Sequence, residues 1–474
     1  NVSVGKDSMY DANTASGVVA VGTESAYNIT SGSESVAIGK QALYTATTVG
    51  ANTAVGYQAL KLNAVASNTA VGHSAGLNTT GTLNTYVGVS AGKGAAGAET
   101  HNTGIGADAL LSITTGTYNV AVGSRCGDAI TTGHQNTFLG DFAGSTTTNV
   151  GFATAVGHGA MGSAIVTDDA DGSVAIGATA LESLTNATGC TAIGYESLKT
   201  LSTANFCTAI GYQAGALVTG SLNTIVGYQA ADVLASGTSN TVIGARAMGA
   251  ADGGEQNNVI IGTDAGDVIN DDAADGNVII GHDADPSSSA GTNQIVIGQA
   301  TTGQANNSVT LGNADVTAVY MASDSGATVH ADKYMSTTMP AFLVRPASNQ
   351  LNIATGSHID VAFGTEVFDQ GSNFASNAFT APVTGKYQLN VCFYLNSLDS
   401  AAGYYEARIV TSNRNYFHVL DPDFGQDAVY YTLAISVLAD MDASDTASIT
   451  LIQDSGTAQT DIKTDSFFSG HLVC

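Results

Sequence analysis

A short unit, [Val/Thr]-x-[aliphatic]-Gly, recurs nineteen times, its glycine running from Gly5, Gly22 and Gly39 to Gly298 and Gly312. The mean spacing is about 17 residues, the length of one solenoid coil and well short of a propeller blade. One step before every glycine stands Val, Ile or Leu, and three steps before it a β-branched residue. Side chains alternate along a strand, so these two positions share a face. That face is expected to line the inside of the coil. The residue between them then points outward, and it too is apolar: Ala20, Ala37, Ala54 and Ala121 early on, Ile225, Val242, Ile260 and Ile279 later. Only Ser3 and Thr310, in the first and last copies, are clearly polar there. A strand apolar on both faces is buried on both, so the repeat predicts that other chains cover its outside.

Four steps before the glycine, Asn fills eleven of the nineteen copies, among them Asn52, Asn68, Asn84, Asn102, Asn223 and Asn240. Asparagine at one repeated turn position predicts a hydrogen-bonded ladder running from copy to copy. Cys190 and Cys207 take this place in neighbouring copies, which sets them about one strand spacing (~4.8 Å) apart. Two free thiols and a disulfide are both compatible with that separation.

Composition narrows the function classes. With 44% hydrophobic and 11% charged residues the chain is not disordered, and 56 glycines with 5 prolines suit many short strands joined by turns. Its 474 residues allow two or three domains. The net charge of −27 repels a nucleic-acid backbone. No apolar run approaches the ~18 residues of a membrane-spanning helix, and no signal peptide opens the chain. Asn1 already lies inside a repeat, so further sequence carrying an anchor is expected upstream. Five scattered cysteines make neither a disulfide framework nor a C-x-x-C metal site.

Copies such as "NTAVGYQAL" (52–60) and "CTAIGYQAG" (207–215) resemble the left-handed parallel β-roll heads of trimeric autotransporter adhesins (YadA-like heads). The resemblance covers roughly 1–313 and implies a trimer. The copies here are longer than the family's usual unit, which implies looped-out corners such as 161–172, and the family's membrane barrel is not found. A neck or connector is expected over 314–338. From 339 to 474 longer, more aromatic strands succeed one another ("AFLVR", "KYQLNVCFYL", "YYEARIV", "VYYTLAISVLA", "TASITLIQ", "SFFSGHLV") and indicate an antiparallel sandwich. Phe363, Asp369, Phe374, Phe379, Gly385 and Tyr387 in this part resemble the signature of the complement-q/tumour-necrosis-factor jelly rolls, although the Phe374–Phe379 interval is two residues short. That family is trimeric as well. The expected fold is therefore all-β, a trimeric β-roll followed by a jelly roll.

These parts together imply a structural fibre and adhesin. A bacteriophage tail or capsid fibre on the virion surface is the leading reading, and a secreted or cell-surface bacterial adhesin is the alternative. The expected partners are two further copies of the chain, upstream fibre or virion proteins, and a host cell-surface glycan or protein receptor, with no nucleic acid and no membrane insertion. An enzymatic reading, a glycan-degrading tail spike, needs two carboxylates about 5–10 Å apart in a groove. No acid recurs at a fixed repeat position and the shaft lacks evident aromatic platforms for sugars, so no enzyme is expected. No cofactor is expected either. The acidic stretches 167–172, 270–276 and 282–286 have oxygen-rich calcium chemistry, but turns explain them equally and no motif assigns ligands.

If strands of the jelly roll simply alternate in direction, the connections 380–385, 412–426 and 454–463 gather at the end away from its termini. The middle one offers Arg414, Asn415, Tyr416, His418, Asp421 and Asp423 as receptor-binding residues. Alternatively, Tyr416 and Phe417 belong to a short core strand.

One motif suggests other chemistry. "GHSAG" (72–76) spells the nucleophile elbow of α/β-hydrolases, with Ser74 as nucleophile. The elbow needs an amphipathic helix after it, and "LNTTGTLNT" has no helical spacing. The same place in other copies holds Gln58, Asp108, Phe142 and Arg246, so chemistry cannot depend on it. Ser74→Ala is predicted to change stability by less than about 0.5 kcal/mol. A fluorophosphonate probe is expected to leave Ser74 unlabelled, and labelling there would contradict this reading.

Overall fold

The computed structural model describes residues 1–94, 97–164, 166, 170–319 and 339–473. The chain divides into two compact units, Asn1–Ser325 and Gly326–Cys474. The expected neck lies mostly outside the described residues, at 320–338. Among the described residues no helix is long and apolar enough to cross a membrane.

The first unit is a parallel β-solenoid of nineteen three-residue strands, β1 (Val2–Val4) to β19 (Val309–Leu311). Each strand pairs in register with the next, so Ala20 lies on Ala37 and Ala37 on Ala54. The repeat glycines stack likewise. Gly22 has φ +133°, and a Cβ there would stand 2.7 Å from the Gly39 carbonyl oxygen. Only glycine tolerates both the angle and the approach.

The inside and outside of the coil are the reverse of the expectation. The middle residue of each strand is the inward one: Ala20, Ala54, Ala121, Val242 and Ile260 are fully buried within a single chain. The flanking Thr or Val and the aliphatic residue before the glycine face out, with Ile105 and Ile210 each 39% exposed. The reason is parity. The inward position shares strand parity with the buried Asn column and turns inward with it, whether it carries alanine, as at Ala54, or a larger residue, as at Ile260. Small residues three steps past the glycine (Ala42, Ala59, Ala75) and larger ones a step further (Leu43, Leu60, Leu110) complete the filling.

The ladder is present. Asn52 Oδ1 accepts from Asn68 N at 2.9 Å, Asn68 Oδ1 from Asn84 N at 2.9 Å, and Asn84 Oδ1 from Asn102 N at 3.0 Å. Each Nδ2 donates to a carbonyl one coil on, as from Asn119 to Gly133 at 2.8 Å. The cysteines serve the same purpose. Cys190 Sγ donates to Ala204 O and Cys207 Sγ to Gly220 O, both at 3.2 Å. They are free thiols. Contact between them holds the Cys190 thiol below its ordinary range and pushes Cys207 above it.

Where the inward position is large, its neighbours shrink. Tyr86 and Phe138 replace Ala there, and glycines flank them: Gly76 and Gly92 around Tyr86, Gly127 and Gly144 around Phe138. Those glycines stand where other coils carry Leu43, Leu60 or Leu198. A Cβ on Gly144 would lie 2.6 Å from the Phe138 ring, and one on Gly92 would overlap the Tyr86 ring.

The second unit comprises β20 (Ala341–Arg345), β21 (Ile359–Asp360), β22 (Thr365–Gln370), β23 (Phe374–Ala375), β24 (Ala378–Thr380), β25 (Gly385–Leu398), β26 (Tyr405–Thr411), β27 (Asn415–Leu420), β28 (Ala428–Met441), β29 (Thr446–Gln453), β30 (Asp461–Ile462) and β31 (Phe467–Leu472). Two antiparallel sheets, ordered β22-β20-β31-β25-β28 and β23-β24-β29-β26-β27, make a jelly roll. Phe342, Phe363, Phe374, Phe379 and Phe468 pack ring against ring between them, and Tyr387 joins at Phe379. Asp369 closes the turn before β23 by accepting from Asn373 N at 3.0 Å and Phe374 N at 2.9 Å. The signature aromatics are thus core, and its acid is a turn cap.

Size compensation in the coil is testable. Gly92→Leu should cost about 3 kcal/mol through overpacking against Tyr86, and adding Tyr86→Ala should recover much of that loss. Urea unfolding of the single and double variants measures the coupling. Strictly additive losses would refute it.

Candidate functional site

The jelly roll has two ends, and register assigns every loop to one of them. Ala341 lies opposite His471, and Tyr387 opposite Leu472, so the first strand begins where the last one finishes. The 381–384 turn belongs to this same end, since Ser444 N donates to Ala381 O at 2.8 Å and Val473 N to Lys386 O at 2.8 Å. The expectation that 380–385 lies at the far end is therefore corrected. The extra short strands β22 to β24 between β20 and β25 break the simple alternation on which it depended. Nor is 412–426 one connection. Its middle is β27, paired to β26 from Val410↔Asn415 to Tyr405↔Leu420. Residues 412–414 turn at the termini end, and 421–427 at the opposite end. Only 454–463 falls where expected, together with 399–404.

The six sequence-selected residues are consequently spread along one edge strand of about 20 Å. Arg414 sits in the termini-end turn, where Nη2 pairs with Asp440 Oδ2 at 2.9 Å. Asn415 opens β27, and Tyr416 packs against the sandwich core. His418 Nδ1 lies 3.0 Å from Ala434 O on β28. Asp421 and Asp423 are exposed in the far loop. They do not form one site.

The far end is organised by residues that sequence reasoning passed over. Buried Asp399 accepts from Ala401 N at 2.8 Å and from Thr457 N, tying the 399–404 loop to the 454–460 loop. Buried Tyr405 OH accepts from Asp399 N at 2.9 Å and shares a 2.7 Å hydrogen bond with Thr460 Oγ1. Gln453 Nε2 donates to Ser455 O and Thr457 O at 3.0 and 2.8 Å. Asp427 accepts from Gln459 Nε2 at 2.7 Å and from Ser400 N and Oγ at 2.9 Å, which holds its carboxyl below the ordinary range, Gln459 first. Three loops are thereby fixed to each other. Beside them opens a polar groove of about 410 Å³ lined by Asn352, Ser397, Asp427, Val429, Gln459 and Asp461. The signal was present in "LDSAAG" and "DSGTAQ", whose Asp, Ser and Gly are turn formers.

The solenoid surface also departs from expectation, because stacked aromatic columns are present. Tyr195, Tyr212 and Tyr228 stack at 5.2 and 5.5 Å, and Tyr10, Tyr27 and Tyr44 at 5.0 and 5.1 Å. Stacked rings cover each other's faces, so these columns present edges and hydroxyls instead of flat platforms for sugars. Ser74 Oγ lies 3.1 Å from His73 Nδ1, in a left-handed turn with φ +58° and no helix following.

Of the acidic stretches, 167–169 lie outside the described residues. In 270–276, Asp272 and Asp275 accept from Gly254 N and Gln256 N of the preceding coil at 2.6 and 2.8 Å, so they act as turn acceptors. In 282–286, His282 and Asp283 come together with Asp264, their ligand atoms within 4.8 Å of one another. Arg246 already holds both Asp264 oxygens at 2.7 Å.

No protein-family model and no curated protein matches the chain. Among solved structures, the globular domain of zebrafish complement 1qA protein is 16% identical, with 29% of this chain and 98% of that one covered at a TM-score of 0.22. Two crystal structures of murine APRIL are 8% and 9% identical, each with 28% of this chain and 99% of that one covered, at TM-scores of 0.22 and 0.23. Strand order, independent of these scores, defines the jelly roll.

Asp399→Ala removes a buried acceptor shared by two loops, and a loss of about 3 kcal/mol is expected. Amide hydrogen exchange should quicken over 399–404 and 454–460 while β25 stays protected. Uniform exchange across the domain would contradict this division.

Proposed function

We propose that the chain is a trimeric attachment fibre of the bacteriophage tail or capsid kind, with a solenoid shaft and a jelly-roll tip that binds a host cell-surface receptor. One observation carries the reading. Every coil turns its β-branched and aliphatic flanking residues outward, so an apolar ladder runs the length of the solenoid: Val71, Ile105, Leu139, Ile176, Ile210 and Ile243 all stand exposed. Beside it, bulky apolar residues such as Phe152 and Phe206 occupy left-handed turns, at φ +57° and +56°, that glycine or asparagine would fill without strain. An apolar surface of this extent marks an interaction site. A repeated surface on identical rungs is matched in period by another copy of itself, in parallel and in register.

The jelly roll supports the same assembly. Phe417, Val419 and Val429 are exposed on the neighbouring edge strands β27 and β28, which suits packing between copies. Receptor contact then belongs to the three fixed loops at the end away from the domain's termini, because the chain enters and leaves at the other end. Rigid loops lose little conformational entropy on binding.

Ile210→Asp and Ile243→Asp put charge on the outward ladder and should dissociate the assembly, whereas neither residue is needed to fill the coil itself. Sedimentation equilibrium should give a trimer for the unmodified protein and monomers for the double variant. A monomeric unmodified protein refutes the trimer. Replacing 421–427 by a Gly/Ser turn should abolish cell binding with the trimer intact, and undiminished binding would move the receptor site elsewhere.

A further inference from the structure

Two glutamates are enclosed in the coil at equivalent positions, seven residues before the repeat glycine. Glu99 is 1% exposed and Glu255 fully buried. Each supplies the main-chain carbonyl that an Asn of the preceding coil binds, Asn84 Nδ2 to Glu99 O at 2.9 Å and Asn240 Nδ2 to Glu255 O at 2.8 Å. Their main chain is therefore held in the rungs by the ladder. Neither forms an ion pair with Lys, Arg or His among the described residues. Glu99 Oε2 and Glu255 Oε1 each make no hydrogen bond.

Around Glu99 the orphan atoms gather. Thr79 Oγ1 and the Tyr86 hydroxyl are buried without partners too. Thr79 Oγ1 and the Tyr86 ring lie together, 3.1 and 3.3 Å from a Cβ placed on Gly76. The Tyr86 phenol is the titratable side chain facing Glu99, and the main chain of Thr80 and Gly81 donates to its carboxyl. Glu255 faces Asp252 and Asp272, and its Oε2 accepts from Gly253 N at 3.2 Å. An ionised carboxylate enclosed without a counter-ion is strongly disfavoured. A neutral carboxylic acid is not, and its one O–H can donate to a single neighbouring oxygen such as Thr79 Oγ1.

We propose that the solenoid is proton-sensitive: Glu99 and Glu255 fold into the bore as neutral carboxylic acids, and their ionisation loosens the rungs that enclose them. Burial raises both carboxyls, Glu99 to about 7 from an ordinary 4.5. Below the ordinary value both folded and unfolded chains hold the proton, and the coil has its full stability. As pH rises toward 7 the unfolded chain releases the proton first, so stability falls across that interval and levels off above it. The coil is firmest in acid. This holds whether or not the chain is a fibre.

The test is thermal unfolding of the full chain and of Glu99→Gln, Glu255→Gln and the double variant, from about pH 5 to about pH 8. Glutamine keeps the shape without the titration. The unfolding midpoint of the unmodified protein should drop over this range, and the drop should be smaller in the double variant, where Asp285, also raised by burial, still titrates. Infrared spectra of the unmodified protein near neutral pH should show a protonated-carboxyl band that diminishes with Glu99→Gln. An equal pH dependence in the double variant overturns the inference. If the variants fail to fold, absence of the band in the unmodified protein overturns it equally.

Discussion

Most coils are tied to the next by a side chain standing in for backbone. The Asn68 carboxamide accepts from the amide of the following Asn84 and donates to the carbonyl of Gly81, three residues before Asn84. It does so in a bore without room for solvent, where an unpaired amide or carbonyl is costly. The other features of the solenoid are arranged around this ladder. The carboxamide needs the parity it shares with the middle strand residue, which draws that residue inward and sends the β-branched pair outward. Serine and cysteine substitute in the ladder because both can donate at the same place: Ser173 Oγ reaches Ala187 O at 3.1 Å, as Cys190 Sγ reaches Ala204 O.

Much of this architecture was legible in the sequence, and the error within it is instructive. Period, strand positions and the Asn column follow from repetition alone. Inside and outside did not follow, because Ala54 and Val55 are both apolar and hydrophobicity cannot choose between them. Parity can. Asn52 lies two residues before Ala54, and a ladder of polar side chains is most useful where water is excluded, so Ala54 turns inward with it and Val55 outward.

In the jelly roll the long strands were legible because their hydrophobic alternation is strong, and "TASITLIQ" is strand from end to end. The loops were not. Direction depends on counting every strand, and β21, β23 and β30 are two residues long, too short to leave a periodic trace. Arg414 and Asp423 looked like neighbours in one connection and stand at opposite ends of the domain. Asp399 and Tyr405, which tie the far loops together, read in sequence as ordinary turn and strand residues; their role comes from loops 55 residues apart meeting at Thr460.

The accommodation of Tyr86 by Gly76 and Gly92, each in a different coil, bears on how such a chain grows. A coil whose inward residue is alanine and whose corner is leucine fits between two others like itself, so a seam such as that between Ala37 and Ala54 is neutral to duplication or deletion of a whole coil. The Tyr86 and Phe138 coils are not exchangeable in this way, because each depends on a glycine belonging to the coil before it. Length can therefore drift by whole coils in the alanine stretches, while the aromatic coils are inherited only in pairs and remain as fixed landmarks along the solenoid.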